Sequence, residues 1–411
     1  MEQPVRDRLM RAWARLPSPV RATAHRALDA ALRAIAPLRR ARLWRPGLAP
    51  CGPVVVVGPL RAVLGIGQGA RLFSRALKQI GYPVSVVDVT PDFRLAAVLP
   101  ATGDPSPTEG GVLLTHLNPP ELLHWLRRRG MRALQGRRHI GYWAWETETA
   151  PAAWAEAFTY VDEVWCPSTF TAEAVRSLPG AVPVHVVPHP VFATEGLEPT
   201  PPAADGQVKI LAAFDMRSTA ARKNPWASIE AFQRANRPNA ILTVKIIAGD
   251  TDPDALSRLR AKAAASPDRI RLIEQDLQPA EMSRLISGAD VVVSLHRSEG
   301  FGLLIAEAMW AGRPVLTVGW SGPADFVTQA DAALVPYTLV PADGGAGPYA
   351  GARWAQADIE VAAERLGALI DDAALRSDLG ARGAQAIRDW CGLEAWSGRI
   401  RARLAAPAGN A

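Results

Sequence analysis

The sequence predicts an α/β protein built from two Rossmann-like, doubly wound domains that face each other across a cleft. Its 411 residues exceed the roughly 100–200 residues that one domain usually holds, so two domains are expected. Short apolar segments alternate with segments of helical length in both halves of the chain, which is the pattern of parallel βαβ units. Residues 191–207 are rich in proline and separate the two halves as a linker.

The composition excludes several classes of protein. Hydrophobic residues make up 48% of the chain and charged residues 21%, which is ordinary globular usage and excludes a mainly disordered or fibrous protein. The apolar runs are far shorter than the about 20 residues that span a bilayer. The three cysteines have neither metal-binding nor redox spacing, and their odd number favours a reducing cytoplasm.

The positive charge is concentrated in residues 1–50, which form a predicted basic helical arm. This segment holds eleven arginines and three acidic residues, a net charge of +8, so the remaining residues carry −2 of the total of +6. Leu9, Trp13 and Leu16 recur at helical spacing between arginines, which favours docking on an anionic membrane surface. The alternative is a solvated arm that packs on its own domain. A near-neutral body argues against nucleic-acid binding.

The N-terminal domain, residues 51–190, is predicted to begin with a buried strand, Val54–Val57, and a glycine-rich loop, Gly65–Gly69. The helix Ala70–Ile80 follows the loop. In such a domain, binding sites gather where parallel strands end. The further predicted strands are Val84–Val89, Val112–Thr115, His139–Trp145 and Val161–Pro167.

The C-terminal domain, residues 208–385, repeats the pattern and is followed by a helical tail, residues 386–411. The helical pattern at the end of the chain runs over Leu366–Leu404. The predicted strands are Val208–Phe214, Ile241–Ala248, Ile270–Ile273, Val291–Leu295 and Pro314–Val318. The predicted helices are Asn224–Asn236, Pro253–Ala265, Pro279–Ser287 and Leu303–Ala311.

The segment Ser298–Glu307 carries the richest chemical signal. It follows the strand Val291–Leu295 and leads into a helix, and its two glycines let the backbone approach an anion at the helix start. Glu299 and Glu307 lie eight positions apart. Each would repel a phosphate by roughly 2–3 kcal/mol at about 6 Å and an effective dielectric constant of about 20, so both suit neutral hydroxyl donors such as a sugar and a ribose. The alternative is a structural helix start with a solvated glutamate.

The segment Asp215–Pro225 carries the candidate cations Arg217, Arg222 and Lys223. It follows a predicted strand, and Pro225 suits the first turn of the next helix. Cations fixed at the cleft would stabilise a departing diphosphate by about 2–4 kcal/mol. The alternative is a basic surface loop with ion-pair partners.

Other catalytic patterns are not supported. Asp252 and Asp254 flank Pro253 and mimic a metal-binding Asp-x-Asp, but proline at a helix start makes a helix cap the better interpretation. The chain has no Walker loop and no nucleophile elbow, which excludes P-loop nucleotidases and elbow-type serine hydrolases.

Together these segments resemble glycosyltransferase family 4, whose members have the GT-B fold. The shared features are the two glutamates of Glu299–Glu307, the run Glu-Gly-Phe-Gly-Leu, and an Arg-Lys-Asn-Pro loop before Glu230–Phe232. The resemblance covers about residues 140–330. Gly141–Glu146, Val161–Phe170 and Trp320–Pro323 are similar to bacterial exopolysaccharide and cell-surface glycan members.

The resemblance implies roles for these residues. Glu299 would lie near the donor sugar hydroxyls, Glu307 would hold the ribose, and Lys223 would bind the diphosphate together with either Arg222 or Arg217. The family retains the configuration at the anomeric carbon and needs no obligatory metal, so a nucleotide diphosphate sugar is expected as co-substrate and no cofactor. The other donor contacts implied are Gly300, Phe301, Gly302 and Leu303.

The N-terminal half is less similar to the family. Gly65 and Gly67 resemble its glycine loop beside the diphosphate, although a plain tight turn explains them equally well. Many members carry a histidine at the end of a cleft-facing strand, where this chain has Glu146, so Glu146 is a candidate catalytic residue. His116 and Asn118 are candidates on the acceptor side; a lone histidine is more often structural.

The resemblance therefore implies a retaining, metal-independent transferase. It would move a hexose of the mannose or glucose type to a glycan or lipid-linked acceptor in bacterial surface polysaccharide synthesis. The expected location is cytoplasmic and peripheral on the inner membrane face. The alternatives are a nucleotide-sugar epimerase or sugar phosphorylase on the same fold, and an inert subunit that binds nucleotide or glycan.

Overall fold

The computed structural model describes residues 53–100, 111–129, 134, 136–198, 206–328, 330, 333–342 and 349–405. The arm predicted over residues 1–50 lies outside the described residues, as does 199–205 of the predicted linker.

The N-terminal domain is a six-stranded parallel sheet in the order β2-β1-β3-β4-β5-β6. Strand order reverses at β1, because β2 pairs with one of its edges and β3 with the other. The loops after β1 and β3 therefore flank a crevice, where α/β sheets bind ligands. The strands are β1 (Val54–Gly58), β2 (Val84–Asp88), β3 (Val112–Thr115), β4 (Arg138–Tyr142), β5 (Glu163–Cys166) and β6 (Val184–Val186). The helices are α1 (Gly65–Gln79), α2 (Pro119–Arg129) and α3 (Thr169–Arg176), with 3-10 helices at Thr90–Phe93 and Ala152–Tyr160.

The C-terminal domain repeats this architecture with the strand order β12-β11-β10-β7-β8-β9. Here the order reverses at β7, which pairs with β8 and β10. The loops that follow β7 and β10 are consequently neighbours at the carboxyl edge of the sheet. The strands are β7 (Val208–Asp215), β8 (Ala240–Ile247), β9 (Ile270–Ile273), β10 (Val291–Ser294), β11 (Val315–Val318) and β12 (Ala333–Val335). The helices are α4 (Ala220–Lys223), α5 (Pro225–Ala235), α6 (Pro253–Ala264), α7 (Pro279–Ser287), α8 (Leu303–Trp310) and α9 (Ala324–Val327), with 3-10 turns at Met216–Ser218 and Gly249–Thr251.

The last part of the chain consists of an antiparallel hairpin and three helices. The hairpin comprises β13 (Tyr337–Pro341) and β14 (Arg353–Ala357). The helices are α10 (Ile359–Asp371), α11 (Ala373–Cys391) and α12 (Leu393–Ala405).

Helix α12, at the end of the described chain, packs against the N-terminal domain and so connects the two domains. The Trp396 ring is buried edge-on against Phe73 of α1, at 5.2 Å between centroids. The Trp396 indole N–H donates to the Pro188 carbonyl at 3.1 Å. The predicted linker is ordered at its start, because the backbone N–H of Val191 donates to the Cys391 carbonyl at 3.0 Å. The predicted boundary between residues 385 and 386 falls inside α11.

The two doubly wound domains predicted from sequence are confirmed, and each predicted strand is present with bounds that shift by a few residues. The glycine loop was predicted wrongly: Gly65–Gly69 forms the first turns of α1 rather than a loop before it. The strand predicted over His139–Trp145 ends at Tyr142. The cap prediction is confirmed, because the Asp252 side chain accepts from the backbone N–H of Ala255 and Pro253 begins α6.

Candidate functional site

The two segments singled out in the C-terminal half meet at the point where its strand order reverses. Arg222 and Lys223 lie on α4, which follows β7, and Glu299 lies in the loop after β10. The two loops are joined by their backbones, since the N–H of Arg297 donates to the Arg222 carbonyl at 2.8 Å. The Asn224 amide group adds a bond to the Leu295 carbonyl at 3.1 Å.

These loops build a compact cluster of charges around Glu299. Its carboxylate accepts a hydrogen bond from the Lys223 ammonium group and lies 3.3 Å from Nη1 of Arg222. Nη1 also donates to the Ser298 carbonyl at 2.7 Å. Nη2 of Arg222 lies 3.5 Å from a carboxylate oxygen of Glu146, so Arg222 bridges carboxylates from both domains.

Electrostatics keep this cluster ionised. Burial alone would raise the pKa of Glu299, but the charges of Lys223 and Arg222 outweigh it and lower that pKa to about 2. Burial likewise acts to lower the pKa of Arg222, and the charges of Glu146 and Glu299 raise it above its ordinary value. Glu299 is therefore a carboxylate that only accepts hydrogen bonds at neutral pH.

Arg222 and Lys223 differ in access to solvent. The Arg222 side chain is 2% exposed and has partners on several sides, whereas the Lys223 side chain is 19% exposed. The Arg222 guanidinium is thus enclosed by its partners, whereas the Lys223 ammonium group is partly open to solvent. A buried guanidinium of this kind is stable only while its carboxylate partners remain in place.

The Glu299 loop is clamped by close backbone packing. A Cβ atom on Gly322 would lie 2.2 Å from the Gly300 carbonyl oxygen, so only glycine fits there. The N–H of Gly322 donates to the Glu299 carbonyl at 2.9 Å, and the Ser321 hydroxyl accepts from the N–H of Glu299 at 2.9 Å. From the N-terminal domain, the Ser168 hydroxyl donates to the Gly300 carbonyl at 2.6 Å.

The residues that follow Gly300 start helix α8. Gly302 occupies the left-handed region with a φ of 91°, directly before Leu303, the first residue of α8. Phe301 is buried and packs edge-on against His189, with 5.1 Å between ring centroids. The Phe301 side chain is therefore packed into the protein interior, so only the backbone of this segment is available at the helix start.

Glu307, eight residues after Glu299, lies in a different environment. It is half-buried on α8, and the Gln68 side chain of α1 donates to it. Arg71 lies nearby and donates to the Gln68 Oε1 atom at 2.8 and 3.2 Å, which turns the Gln68 amide nitrogen toward Glu307. Burial outweighs these partners and raises the pKa of Glu307 to about 7.

Two of the remaining candidates from the N-terminal half, Gly67 and Asn118, have structural contacts. A Cβ atom on Gly67 would lie 2.5 Å from the Pro59 carbonyl oxygen, whereas the corresponding space at Gly65 is open. The Asn118 side chain accepts from the backbone N–H of Ala144 at 2.9 Å and so holds the loop that carries Glu146.

His116 lies apart from the charged cluster. Its ring is fully buried and stacks on Tyr142 at 4.4 Å between centroids, and neither ring nitrogen has a hydrogen-bond partner among the described residues. Burial, followed by the nearby His189, holds the pKa of His116 well below its ordinary value. A neutral, enclosed imidazole of this kind packs as an aromatic ring.

The two arginines that the sequence left as alternatives for binding the diphosphate have different surroundings. Arg217 donates to Asp215 from Nε at 2.9 Å and from Nη2 at 2.7 Å, and it also donates to the Val63 carbonyl. No contact joins it to Glu299 among the described residues, whereas Arg222 is part of the Glu299 cluster.

Sequence reasoning missed three polar residues at this site: Gln68, Arg71 and Ser168. Gln68 and Arg71 are three positions apart on α1, so recognising the glycine segment as helix would have placed them on one face. Ser168 is the N-cap of α3, a detectable signal that does not reveal its contact with Gly300.

The described residues contain no group of three or more His, Cys, Asp or Glu side chains able to hold a metal ion. Within the same residues, no helix has the length and apolar character needed to cross a membrane.

Comparison with known proteins gives a family match for more than half of the chain. A family model described as family 4 glycosyltransferases in conflict systems matches residues 168–388, more than half of the chain. The match includes both segments of the charged cluster. No curated protein matches the sequence.

Solved structures with the same fold have very different sequences. Anabaena HepE in complex with UDP-glucose is 12% identical with a TM-score of 0.60, over 86% of this chain and 99% of that chain. A glycosyltransferase from Rickettsia africae is 12% identical with a TM-score of 0.59, over 86% of this chain and 97% of that chain. TarM from S. aureus is 12% identical with a TM-score of 0.55, over 72% of this chain and 55% of that chain. This chain therefore spans about half the length of TarM.

The environment of Glu307 leads to a test by pH. Its folded-state pKa of about 7 exceeds the ordinary 4.5, so the folded chain retains a proton that the unfolded chain releases. The free energy of unfolding should therefore fall as pH rises between about 5 and about 8, and Glu307→Gln should reduce that fall. Urea unfolding at several pH values measures it. Glu394→Gln, at an exposed position on α12, is the matched control, and an unchanged pH slope in Glu307→Gln would contradict the assignment.

Proposed function

This chain belongs to the family 4 glycosyltransferases in conflict systems, and on that premise we propose that it moves a hexose of the mannose or glucose type from a nucleotide diphosphate sugar to a glycan or lipid-linked glycan. The observation that carries the proposal is the cluster of Arg222, Lys223 and Glu299, which combines two cations with a carboxylate at the edge where the domains meet. Such a set suits a sugar joined to a leaving diphosphate.

The proposed chemistry follows from the charge that develops during transfer. The diphosphate gains negative charge as the glycosidic bond breaks, and preorganised cations stabilise that charge. Lys223 is the more exposed cation, so it contacts the diphosphate, while Arg222 holds Glu299 in place. The free N–H groups at the start of α8, beside Gly302 and Leu303, add a favourable helix dipole.

The two glutamates bind neutral groups in this proposal. Glu299, with its pKa lowered to about 2, accepts hydrogen bonds from sugar hydroxyls. Glu307 releases its bond from Gln68 and accepts the ribose hydroxyls instead. Contact between the domains at Glu146 and Ser298 excludes water that would hydrolyse the donor.

Two further points set the choice of substrates to test. The similar fold of HepE, solved in complex with UDP-glucose, makes UDP-glucose the first donor to test, ahead of mannose donors. For the acceptor, the resemblance to surface glycan enzymes favours a surface polysaccharide. A second candidate acceptor is a target that takes part in a conflict system, which the description of the family favours.

Donor turnover by two variants tests the assignment of roles. Lys223→Ala is expected to lower turnover by roughly 100-fold or more, because a preorganised charge on the leaving group is lost. Glu307→Ala is expected mainly to weaken nucleotide binding, measured by titration calorimetry with UDP. The matched control is Lys78→Ala at an exposed position on α1. Wild-type turnover and affinity in both variants would refute these roles, and an enzyme that converts its donor without any acceptor would be an epimerase.

Product stereochemistry and metal dependence form a second test. We expect transfer to continue in excess EDTA, because the Lys223 ammonium group takes the place of a metal at the diphosphate. We expect the product to keep the anomeric configuration of the donor, as the resemblance to family 4 implies. Proton NMR of the initial product reads the configuration. An inverted product, or activity that returns only with a divalent ion, would count against the proposal.

The basic arm supports a proposed peripheral attachment to the inner membrane face. Its net charge of +8 is expected to bind anionic lipid, with about 1 kcal/mol for each arginine near the surface. Co-sedimentation with liposomes of anionic or neutral lipid should show binding of the full chain to the anionic ones alone, lost on removal of residues 1–50. Equal binding without the arm would end this proposal.

A further inference from the structure

The first turn of helix α3 is the part of the N-terminal domain that binds the loop after β10. The hydroxyl of Ser168, the N-cap of α3, donates to the Gly300 carbonyl at 2.6 Å, and Gly300 directly follows Glu299. The Thr171 hydroxyl donates to the Trp145 carbonyl at 2.8 Å. Trp145 directly precedes the other carboxylate of the charged cluster. The first turn of α3 therefore holds the backbone beside both carboxylates that contact the buried guanidinium.

A turn of the C-terminal domain, residues 320–325, holds the same loop from another side. The Ser321 hydroxyl accepts from the N–H of Glu299 at 2.9 Å, and the N–H of Gly322 donates to the Glu299 carbonyl at 2.9 Å. The Gly322 carbonyl in turn accepts from the N–H of Asp325 at 3.4 Å. Both backbone polar groups of Glu299 are thus bonded to the turn that leads into α9.

Asp325 joins this turn to α3 across the two domains. Its half-buried carboxylate accepts from the backbone N–H of Thr169, the first residue of α3, at 2.8 Å. The first N–H groups of a helix have no partner within the helix, and the helix dipole favours a negative charge there. A hydrogen bond to an ionised acceptor is also about twice as strong as one between neutral groups. Beside this bond, the Phe170 ring packs edge-on against Trp320, with 5.4 Å between centroids.

These contacts form a closed set around the Glu299 backbone. The turn binds Glu299, α3 binds the adjacent Gly300, and Asp325 binds the turn to α3. Without the carboxylate of Asp325, the two supports of the loop would lose the hydrogen bond that joins them, and the N–H of Thr169 would lose this acceptor.

We propose that Asp325 is a positioning residue: by binding the start of α3 it holds the two domains together beside the Glu299 loop, and so fixes where the Glu299 carboxylate lies. Asp325 acts through the backbone of the turn and of α3, and is not assigned a contact with substrate. Its effect on turnover rests on the proposed function, whereas its effect on the Glu299 loop does not.

The first test needs no substrate and measures amide hydrogen exchange resolved to single residues. In Asp325→Ala the N–H of Thr169 should exchange roughly tenfold faster or more, because a hydrogen bond to a charged group is lost. The N–H of Glu299, which Asp325 does not touch, should exchange faster as well. The internal control is the N–H of Lys209, which is bonded to the Asp290 carboxylate at 2.8 Å and should keep its rate.

Two further variants sharpen this measurement. Asp325→Asn keeps an acceptor oxygen without the charge, so both affected amides should exchange at rates between those of the wild type and Asp325→Ala. Asp254→Ala removes an exposed aspartate from the first turn of α6 and should change none of the three rates. A wild-type rate at Thr169 or at Glu299 in both Asp325 variants would overturn the proposal. Equal acceleration at all three amides would also overturn it, because that result indicates general loosening.

The second test is donor turnover by the same variants. We expect Asp325→Ala to lower kcat by roughly tenfold and to change the UDP affinity by less than about twofold, because a displaced Glu299 misplaces the sugar more than the nucleotide. Asp325→Asn should recover part of the lost kcat, and Asp254→Ala should retain all of it. Unaltered kcat in Asp325→Ala, in an enzyme that is active, would overturn the proposal. A wild-type chain that turns over no nucleotide sugar would defeat the proposed function, while the exchange rates would still decide the role of Asp325.

Discussion

The buried guanidinium of Arg222 is the group on which the architecture of the site depends. A charge that is removed from water costs several kcal/mol unless carboxylates lie in contact with it. Its two carboxylates come from different domains, Glu146 from the N-terminal one and Glu299 from the C-terminal one. Stable burial of Arg222 therefore requires that the domains meet at this point, and the bonds from Ser298 to Glu146 and from Ser168 to Gly300 join the backbones there.

The same cost of desolvation acts in opposite directions on the two glutamates of the motif. Glu299 is buried beside two cations, which overcome desolvation and lower its pKa to about 2. Glu307 lies half-buried beside an amide and a more distant guanidinium, so desolvation dominates and raises its pKa to about 7. One carboxylate is thus permanently charged, and the other titrates near neutrality. Residues that look equivalent in a sequence motif acquire different chemistry from their neighbours.

Much of the fold followed from the sequence because its signals are local. The all-valine run at Val54–Val57 and the alternation of strands with helices required a parallel sheet covered on both faces. Errors arose where local signals conflict: glycines favour a loop, yet Gly67 fits inside α1 because its missing side chain allows close contact with the Pro59 carbonyl. The β13–β14 hairpin escaped prediction, because β13 is largely exposed and neither short strand has a strong apolar pattern in its sequence.

The sequence by itself determined the two-domain α/β class, the segments that carry Glu299, Glu307, Arg222 and Lys223, and the family resemblance, because hydrophobic periodicity and residue spacing are properties of the chain alone. The tertiary structure decided that Arg222 rather than Arg217 contacts Glu299, that His116 is enclosed by aromatic rings, and that Gln68 contacts Glu307. These outcomes depend on contacts between residues far apart in the chain. Such contacts are set by the order of strands in the two sheets and by the packing of one domain on the other, which spacing along a single sequence does not encode.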